Sequence, residues 1–552
     1  MTRSESAVQQ PERSARTVFA LFVGPAASVL AAGLAFLLYG YSAAPGLTWA
    51  NYGADGGDLL VAAVTNGTPH PTGYPLYTLL LQGWLALLGA LLPGSDIAWR
   101  GNLFSGFAAA LSVGLTVLVV RHLWREDEKS QSPAQPPAQS PAQSPAQSPA
   151  QPPAQSTGLL PAMLAGAAWM IAPLLWGQAV ITEVYSLHAL LFVALFWALA
   201  VYRPRQPLAR ALLLGGLLGL GAAHHVTLGL LVPGVLYWLW RDEDRPLRSL
   251  SFWLWIAIGL LPGLLLYSRS VFVSPLAPVN WGGNGSLGDI WWLVSGAAYR
   301  RYLFALPAGL LLSKAGQWAL VITIQLTPIG LGVCLAGLYR WDRLAGRLRT
   351  LSLLWIVPVS LYAITYHTAD SEIYLLPVVW MMAIWLPFGV RELTDWINTQ
   401  RPGLRWEQAV LGGSLAALLV LGAVRLPSLS LRHDEEARHF VADAVRVIEP
   451  ESVVFSSADA ETFALWYAAW GSGELLDVAP GSALVNVALL QFEWYRALLV
   501  RLYPDLAGVD AGDAAGILQA NVGRRPIFFS EVIAPATAEK LKQAGSLWRY
   551  TP

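Results

Sequence analysis

Two carboxylates open the first polar stretch after the N-terminal apolar segment. It reads Asn51-Tyr-Gly-Ala-Asp55-Gly-Gly-Asp58, followed by Thr68-Pro-His70-Pro-Thr-Gly-Tyr74-Pro-Leu-Tyr77. Asp55 and Asp58 are three apart, so they share a face if a helix begins there. The Gly-Gly pair lets backbone come close to a ligand. Pro69, Pro71 and Pro75 stiffen the approach to the next apolar segment. A rigid loop with two solvated aspartates is the plainer reading on chemistry alone.

Other polar residues gather in comparable places. Glu183 and Tyr185 stand in Trp176-Gly-Gln-Ala-Val-Ile-Thr-Glu183-Val-Tyr185, where an interfacial anchor is the bland alternative. His224 and His225 are adjacent, but no HxxxH or HExxH spacing accompanies them, so a buried, hydrogen-bonded histidine competes with a metal ligand. The loop 270–314, just after Arg269, carries Asn280-Trp281-Gly-Gly-Asn284, Trp291-Trp292, and Arg300 and Arg301 between Tyr299 and Tyr302. Aromatic faces suit sugar rings and arginines suit phosphate; an aromatic belt at a lipid interface is equally served. Asp370 and Glu372 open an apolar segment, where helix-start acids are common.

The elements that hold these residues are set by composition. Of 552 residues, 55% are hydrophobic and 13% charged, half the charged share of a soluble domain. Lys plus Arg and Asp plus Glu are 35 each, so no basic excess points to nucleic acid. Cys334 is the sole cysteine, which excludes a disulfide framework. A polytopic α-helical membrane protein remains. Apolar segments of spanning character fall near 17–40, 97–120, 158–178, 183–202, 208–223, 226–240, 249–268, 317–339, 351–367, 373–390 and 407–425, about eleven in all. The spans at 208–223 and 226–240 are short. The first is too long for a cleaved signal and reads as a retained span.

Charge sets the expected orientation. With the N-terminus cytoplasmic, the inner turns hold 19 Lys and Arg and the outer ones only Arg100, Arg269, Arg300, Arg301, Lys314 and Arg425. This parity requires 74–92 to lie in the outer interface rather than cross. The acids and histidines above then share the outer side. Residues 1–425 form the expected membrane domain. Within it, 131–156 is a Pro/Gln/Ser/Ala tract that reads as a disordered cytoplasmic loop. Residues 426–552 alternate short apolar runs (452–455, 526–529) with helical patterns (435–448, 490–502), which predicts a small extracytoplasmic α/β domain.

The segments Asp55-Gly-Gly-Asp58, His70-Pro-Thr-Gly-Tyr-Pro-Leu-Tyr77, Asn102-Leu-Phe-Ser105, Thr182-Glu-Val-Tyr-Ser-Leu187, Asn280-Trp281-Gly and Asp370-Ser-Glu372-Ile-Tyr374 resemble the protein O-mannosyltransferase-like family. That family is of the GT-C class of polytopic glycosyltransferases. The tail around Ser457-Ala-Asp459-Ala-Glu-Thr-Phe also looks family-like. Two positions depart from the family pattern: Thr72 stands for a second Pro in HPPGYPL, and Asp58 for a Glu.

The resemblance implies transfer of a mannose-type sugar from a polyprenyl-phosphate donor to an acceptor hydroxyl, on protein Ser/Thr or on a glycan, outside the plasma membrane. Asp55 and Asp58 would be the catalytic pair, in an inverting displacement with Asp55 as base. An ordinary Asp, with a pKa of about 3.9, acts within the transition state rather than before it. Arg269, Arg300, Arg301 and His225 would face the leaving phosphate. His70, Tyr74, Glu183, Tyr185, His224, Trp281, Asp370 and Glu372 complete the expected substrate contacts. No cofactor is certain, and a divalent metal held by Asp58 and Glu183 stays open. The competing reading is a transporter of lipid-linked sugar or another solute, which should show internal repeats with paired broken helices; no repeat is visible. A receptor anchored by its spans leaves the acidic loop idle.

Overall fold

The computed structural model describes residues 9–131, 158–202, 204, 206–274, 276–283, 286–401 and 406–552. The Pro/Gln/Ser/Ala tract beyond Gln131, Arg3, Arg203, Arg205, Asn284 and Arg405, and the side chains of Arg13, Arg16 and Arg343, lie outside the described residues.

Helix α1 (Gln9–Ser42) leads through a 3-10 turn (Ala50–Asp55) to a short α2 (Gly56–Val64) and to α3 (Pro75–Leu91). Next come α4 (Ile97–Gln131), α5 (Leu159–Met170), α6 (Pro173–Ala179), α7 (Tyr185–Ala200), α8 (Pro207–Ala222), α9 (Val232–Trp240) and α10 (Leu250–Leu265). After α11 (Leu287–Val294) come α12 (Leu311–Ala345), α13 (Arg347–Thr365), α14 (Leu376–Gln400) and α15 (Glu407–Leu429). Among the described residues, seven helices are long and apolar enough to span a membrane, or eight if the bent pair α5–α6 is one span. The stretches Tyr185–Ala200, Pro207–Ala222 and Val226–Trp240 are shorter apolar helices and fill the remaining expected positions. The last includes the 3-10 turn Val226–Leu231 before α9. At about 1.5 Å per residue, the 16 residues of α8 reach only some 24 Å, short of the hydrocarbon thickness.

The short α8 is held by close backbone packing on α10. A Cβ on Gly215 would lie 2.3 Å from the Ile256 carbonyl oxygen, and one on Gly263 2.1 Å from Gly219. Small residues spaced by four let two membrane helices touch along their backbones.

Two helices break where one arginine meets them. α5 and α6 bend by 64°, and α12 leaves helical geometry at Leu326 and Thr327, before Pro328. Breaks free carbonyls that hydrocarbon cannot satisfy. Arg425 Nη1, on α15, donates to the carbonyls of Ile171 (3.0 Å) and Gln325 (2.9 Å). The Gln325 side chain accepts from Leu174 N–H at 3.1 Å. The sequence places Arg425 with the outer charges; the structure gives it two broken helices to cap.

Near the C-terminal end of α4, Asp127 is 3% exposed. It pairs with Arg391 at 2.6 Å and Arg340 at 3.2 Å. Glu407 and Glu128 also reach Arg391, Glu392 and Asp395 reach Arg340, and Trp124 lies under the Arg391 guanidinium at 3.5 Å.

Beyond α15 the chain forms α16 (Glu436–Val447), β1 (Val453–Ser456), α17 (Asp459–Trp466), α18 (Glu474–Val478), β2 (Ala483–Asn486), α19 (Glu493–Leu502), α20 (Ala514–Asn521), β3 (Ile527–Phe529), β4 (Leu541–Ala544) and β5 (Leu547–Tyr550). The sheet order is β2-β1-β3-β5-β4. The apolar run of β1 is central and parallel to both neighbours, with Val453 opposite Ala483 and Ile527. β5 pairs antiparallel with β3 and β4. The expected apolar runs are β1 and β3, and the expected helical patterns are α16 and α19. The polar-edged β4–β5 hairpin was not legible.

Candidate active site

The acidic loop is shaped by left-handed backbone at Asn51 (φ 54°) and Tyr52 (φ 65°). Asparagine tolerates this conformation; a tyrosine held there stores strain, which tends to collect at functional sites. The neighbouring helix holds the loop in place. Asn51 Nδ2 donates to Gly177 O at 3.2 Å, and Gln178 Nε2 donates to Asn51 O at 3.0 Å. Thus the α5–α6 break, capped by Arg425, positions α6 under the loop.

α2 begins at Gly56, so Asp55 stands at its N-cap position, with no capping bond from its side chain, and Asp58 falls in its first turn. Both carboxylates turn to His70. Asp58 Oδ2 lies 2.7 Å from His70 Nδ1 and accepts from His70 N–H at 2.9 Å. Its other oxygen accepts from Trp281 Nε1 at 2.9 Å. Trp281 is delivered by a two-residue ladder: Thr68 N–H donates to Val279 O (3.0 Å) and Trp281 N–H to Thr68 O (3.1 Å). Asp58 is fully buried. Asp55 Oδ2 stands 3.4 Å from His70 Nε2, and its side chain is 36% exposed.

Burial pushes Asp55 up to about 7, while the His70 charge pulls it down and the Asp459 and Asp58 charges push it further up. Burial alone would lower His70; the Asp55 charge and the Asp58 hydrogen bond outweigh it and raise it to about 10. A protonated imidazole between two carboxylates therefore leaves Asp58 engaged and Asp55 poised near neutrality.

Asp55 faces a cavity of about 510 Å³. Of the residues that the sequence singled out, His70, Tyr74, Tyr185, His225, Arg300 and Asp370 line it too. Tyr74 and His225 stack at 5.8 Å, and Tyr185 lies 5.6 Å from His225. Seven other expected site residues do not line it. Asp58 and Trp281 lie behind His70. Glu183 is 2% exposed; its Oε2 accepts from Val184 N–H at 3.0 Å. His224 is buried with Nε2 3.0 Å from Val184 O, the bland histidine of the two. Arg269 binds the Gly67 carbonyl and Asn66. Arg301 lies over Tyr302, and Glu372 accepts from the Tyr52 hydroxyl.

The other quoted segments form the scaffold. Asn102 Nδ2 donates to Ala44 and Gly46 carbonyls, and Thr182 Oγ1 donates to Asn102 Oδ1 at 2.7 Å. Ser105 Oγ donates to Glu183 O at 3.1 Å. Thr72, where the family pattern has Pro, lines the cavity wall.

Sequence reasoning missed Tyr52, Tyr362 and Tyr366 in the cavity wall and left Tyr299, Tyr302, Tyr374 and His367 without roles. It also left Asp459 in the tail, although this residue lines the cavity. Tyrosines at span ends look like a membrane belt in sequence. Among the described residues, no group of three or more His, Cys, Asp or Glu side chains comes together as a metal site. Asp58, saturated by His70 and Trp281, does not meet Glu183 in one.

Residues 55–247 match the sequence model of the family described as Protein O-mannosyl-transferase TMEM260 N-terminal domain. Over 238 residues the chain is 27% identical to Protein O-mannosyl-transferase TMEM260 of Mus musculus, covering 42% of this chain and 28% of the relative. Over 316 residues it is 26% identical to Protein O-mannosyl-transferase tmem260 of Dictyostelium discoideum, covering 52% and 33%. The match thus spans about a third or less of the length of these curated relatives. ArnT from Cupriavidus metallidurans bound to undecaprenyl phosphate superposes with a TM-score of 0.55 at 13% identity, covering 95% of this chain and 97% of that one. Its apo state gives 0.52. The fold is that of an integral membrane protein built like ArnT, and the sequence likeness to the O-mannosyltransferase-like family centres on the segment that holds the acidic loop.

Proposed function

We propose that this protein is a membrane glycosyltransferase that moves a sugar, mannose-type, from a polyprenyl-phosphate donor to an acceptor hydroxyl on protein Ser/Thr. One observation carries the reading. Asp58 is immobilised by three hydrogen bonds, and Asp55 beside it opens onto a tyrosine- and histidine-lined cavity. One acid positions; the other is left to react. The names of the sequence relatives and the lipid phosphate bound to the structural neighbour support the donor and acceptor classes.

In the proposed inverting displacement, the acceptor oxygen attacks the anomeric carbon as Asp55 takes its proton. The bond from that carbon to the phosphate oxygen breaks, and polyprenyl phosphate leaves with the electron pair. Arg300 and His225 face the departing charge. A base whose pKa lies near the operating pH is better matched to this task than an ordinary carboxylate. Protonated His70 keeps Asp55 oriented and favours its ionised form.

The reading includes a topology. Residues 1–425 form the membrane domain, with the N-terminus cytoplasmic, and 426–552 an extracytoplasmic domain at the plasma membrane. Asp55, His70 and Asp459 then open outward. A protease-sensitive tag after residue 552 should be cleaved in intact cells; protection there overturns the orientation.

The decisive assay uses the purified full chain, polyprenyl-phosphate mannose and Ser/Thr-containing peptides, read by mass spectrometry. Hexosylated Ser or Thr is expected. Failure to transfer mannose or other hexoses from such donors overturns the proposal.

A further inference from the structure

The cavity has two kinds of wall. Tyr185, His225, Tyr362 and Tyr374 stand at the ends of membrane helices. Asp459 belongs to the C-terminal region and is its single lining residue among those described. It occupies the first turn of α17 and makes no hydrogen bond or ion pair among the described residues, while facing Asp55 closely enough for their charges to act on each other.

The placement of Asp459 is fixed rather than incidental. α17 sits on the acidic loop: Trp49 Nε1 donates to Ala460 O at 3.1 Å, and Phe463 stacks on His70 with ring centroids 6.5 Å apart and 16° between planes. A Cβ on Gly57 would fall 2.2 Å from Phe463 O, so the first Gly-Gly-Asp turn needs glycine because α17 lies against it. The turn before α17 is tied by Ala458 N–H to Glu531 at 2.9 Å. A carboxylate without a partner among the described residues is thus held over the cavity by a helix that packs on the acidic loop and on His70.

Resting on the glycosyl-transfer reading, we propose that Asp459 is an acceptor-binding residue: it receives a hydrogen bond from a hydroxyl or amide N–H of the acceptor and so aligns the acceptor hydroxyl with Asp55. A lipid-linked donor reaches the cavity from the membrane helix ends. A water-borne acceptor arrives past the C-terminal region, and Asp459 is the polar group that this region presents. The ligand class is a neutral or cationic hydroxyl-bearing peptide, because an acidic one would meet Asp459, Asp55 and Asp370 together.

The test compares wild type, Asp459→Ala and Asp459→Glu in the full chain, with polyprenyl-phosphate mannose and two Ser/Thr peptides, one flanked by Lys and one by Glu. Because Asp459 has no hydrogen-bond or ion-pair partner among the described residues, the substitutions should leave the thermal midpoint nearly unmoved. A charge-assisted hydrogen bond is worth roughly tenfold or more in affinity. Asp459→Ala should therefore raise the acceptor KM by about that factor and leave the donor KM in place. It should also narrow the preference for the Lys-flanked peptide, and Asp459→Glu should restore part of both effects. An unchanged acceptor KM, or equal shifts in donor and acceptor KM, overturns the inference while wild-type transfer still stands. A wild-type enzyme that transfers nothing overturns the parent reading, and this one with it.

Discussion

Asp58 and Asp127 are both buried carboxylates on helices, and their surroundings differ in kind. Asp127 is met by two guanidiniums, Arg340 and Arg391, which further acids embrace in turn. Asp58 is met by an imidazole, a backbone N–H and an indole N–H. The first arrangement ties four helices together with charge. The second fixes one loop and leaves its sister acid, Asp55, facing a cavity. Paired charge builds the frame; the carboxylate left at the edge of a pair is the one that opens onto the cavity.

The sharpest way to break this contrast is Asp55→Asn. Losing the proposed base should lower the proposed transfer by about 10²–10⁴-fold, with the thermal midpoint unchanged. A variant that keeps full activity removes Asp55 as base. Asp127→Ala should do the opposite. It removes the deepest of the carboxylates that meet Arg340 and Arg391 and leaves them their more exposed partners, a loss of at most about 3–5 kcal/mol, read as a lower unfolding midpoint in detergent. The protein that remains folded should keep its donor and acceptor KM. If Asp127→Ala instead slows transfer without loss of stability, the division of labour is mistaken.

Trp281→Phe probes the join between the two roles. It removes one donor to a buried carboxylate, an effect of about 1–3 kcal/mol, and should appear chiefly as slower transfer because His70 and Asp55 lose their fixed partner. A loss confined to stability would make Trp281 part of the frame. The mildest effect is that of pH. Asp55 must be ionised to accept a proton, and enclosure holds its pKa at about 7. Transfer should therefore fall as pH drops through neutrality, by roughly tenfold from pH 8 to pH 6. Asp55→Glu, if active, should shift that limb; a limb that stays put belongs to another group.

Legibility in the sequence tracked the range of the contacts. Asp55 and Asp58 stood out because acids are rare beside apolar spans, and the flanking glycines and prolines marked a tight loop. His70 lay close enough to be grouped with them. Trp281 was visible as an aromatic but not as the partner of Asp58, from which it is separated by 223 positions. Glu183 and His224 looked as reactive as Asp55 and His225, since exposure at membrane depth depends on which side of a helix faces the bundle. Arg269 was counted with the phosphate candidates, and a loop carbonyl occupies it instead.

Composition and apolar length determined that this chain is a polytopic helical membrane protein, because hydrocarbon admits few solutions to backbone hydrogen bonding and each leaves a long apolar run in the chain; the first-loop motif carried only a resemblance to a family. The tertiary structure alone decided which carboxylate is held and which is open, and that the tail brings Asp459 to the same cavity. Those outcomes depend on hydrogen bonds and packing between residues far apart in the chain, and no local pattern encodes them.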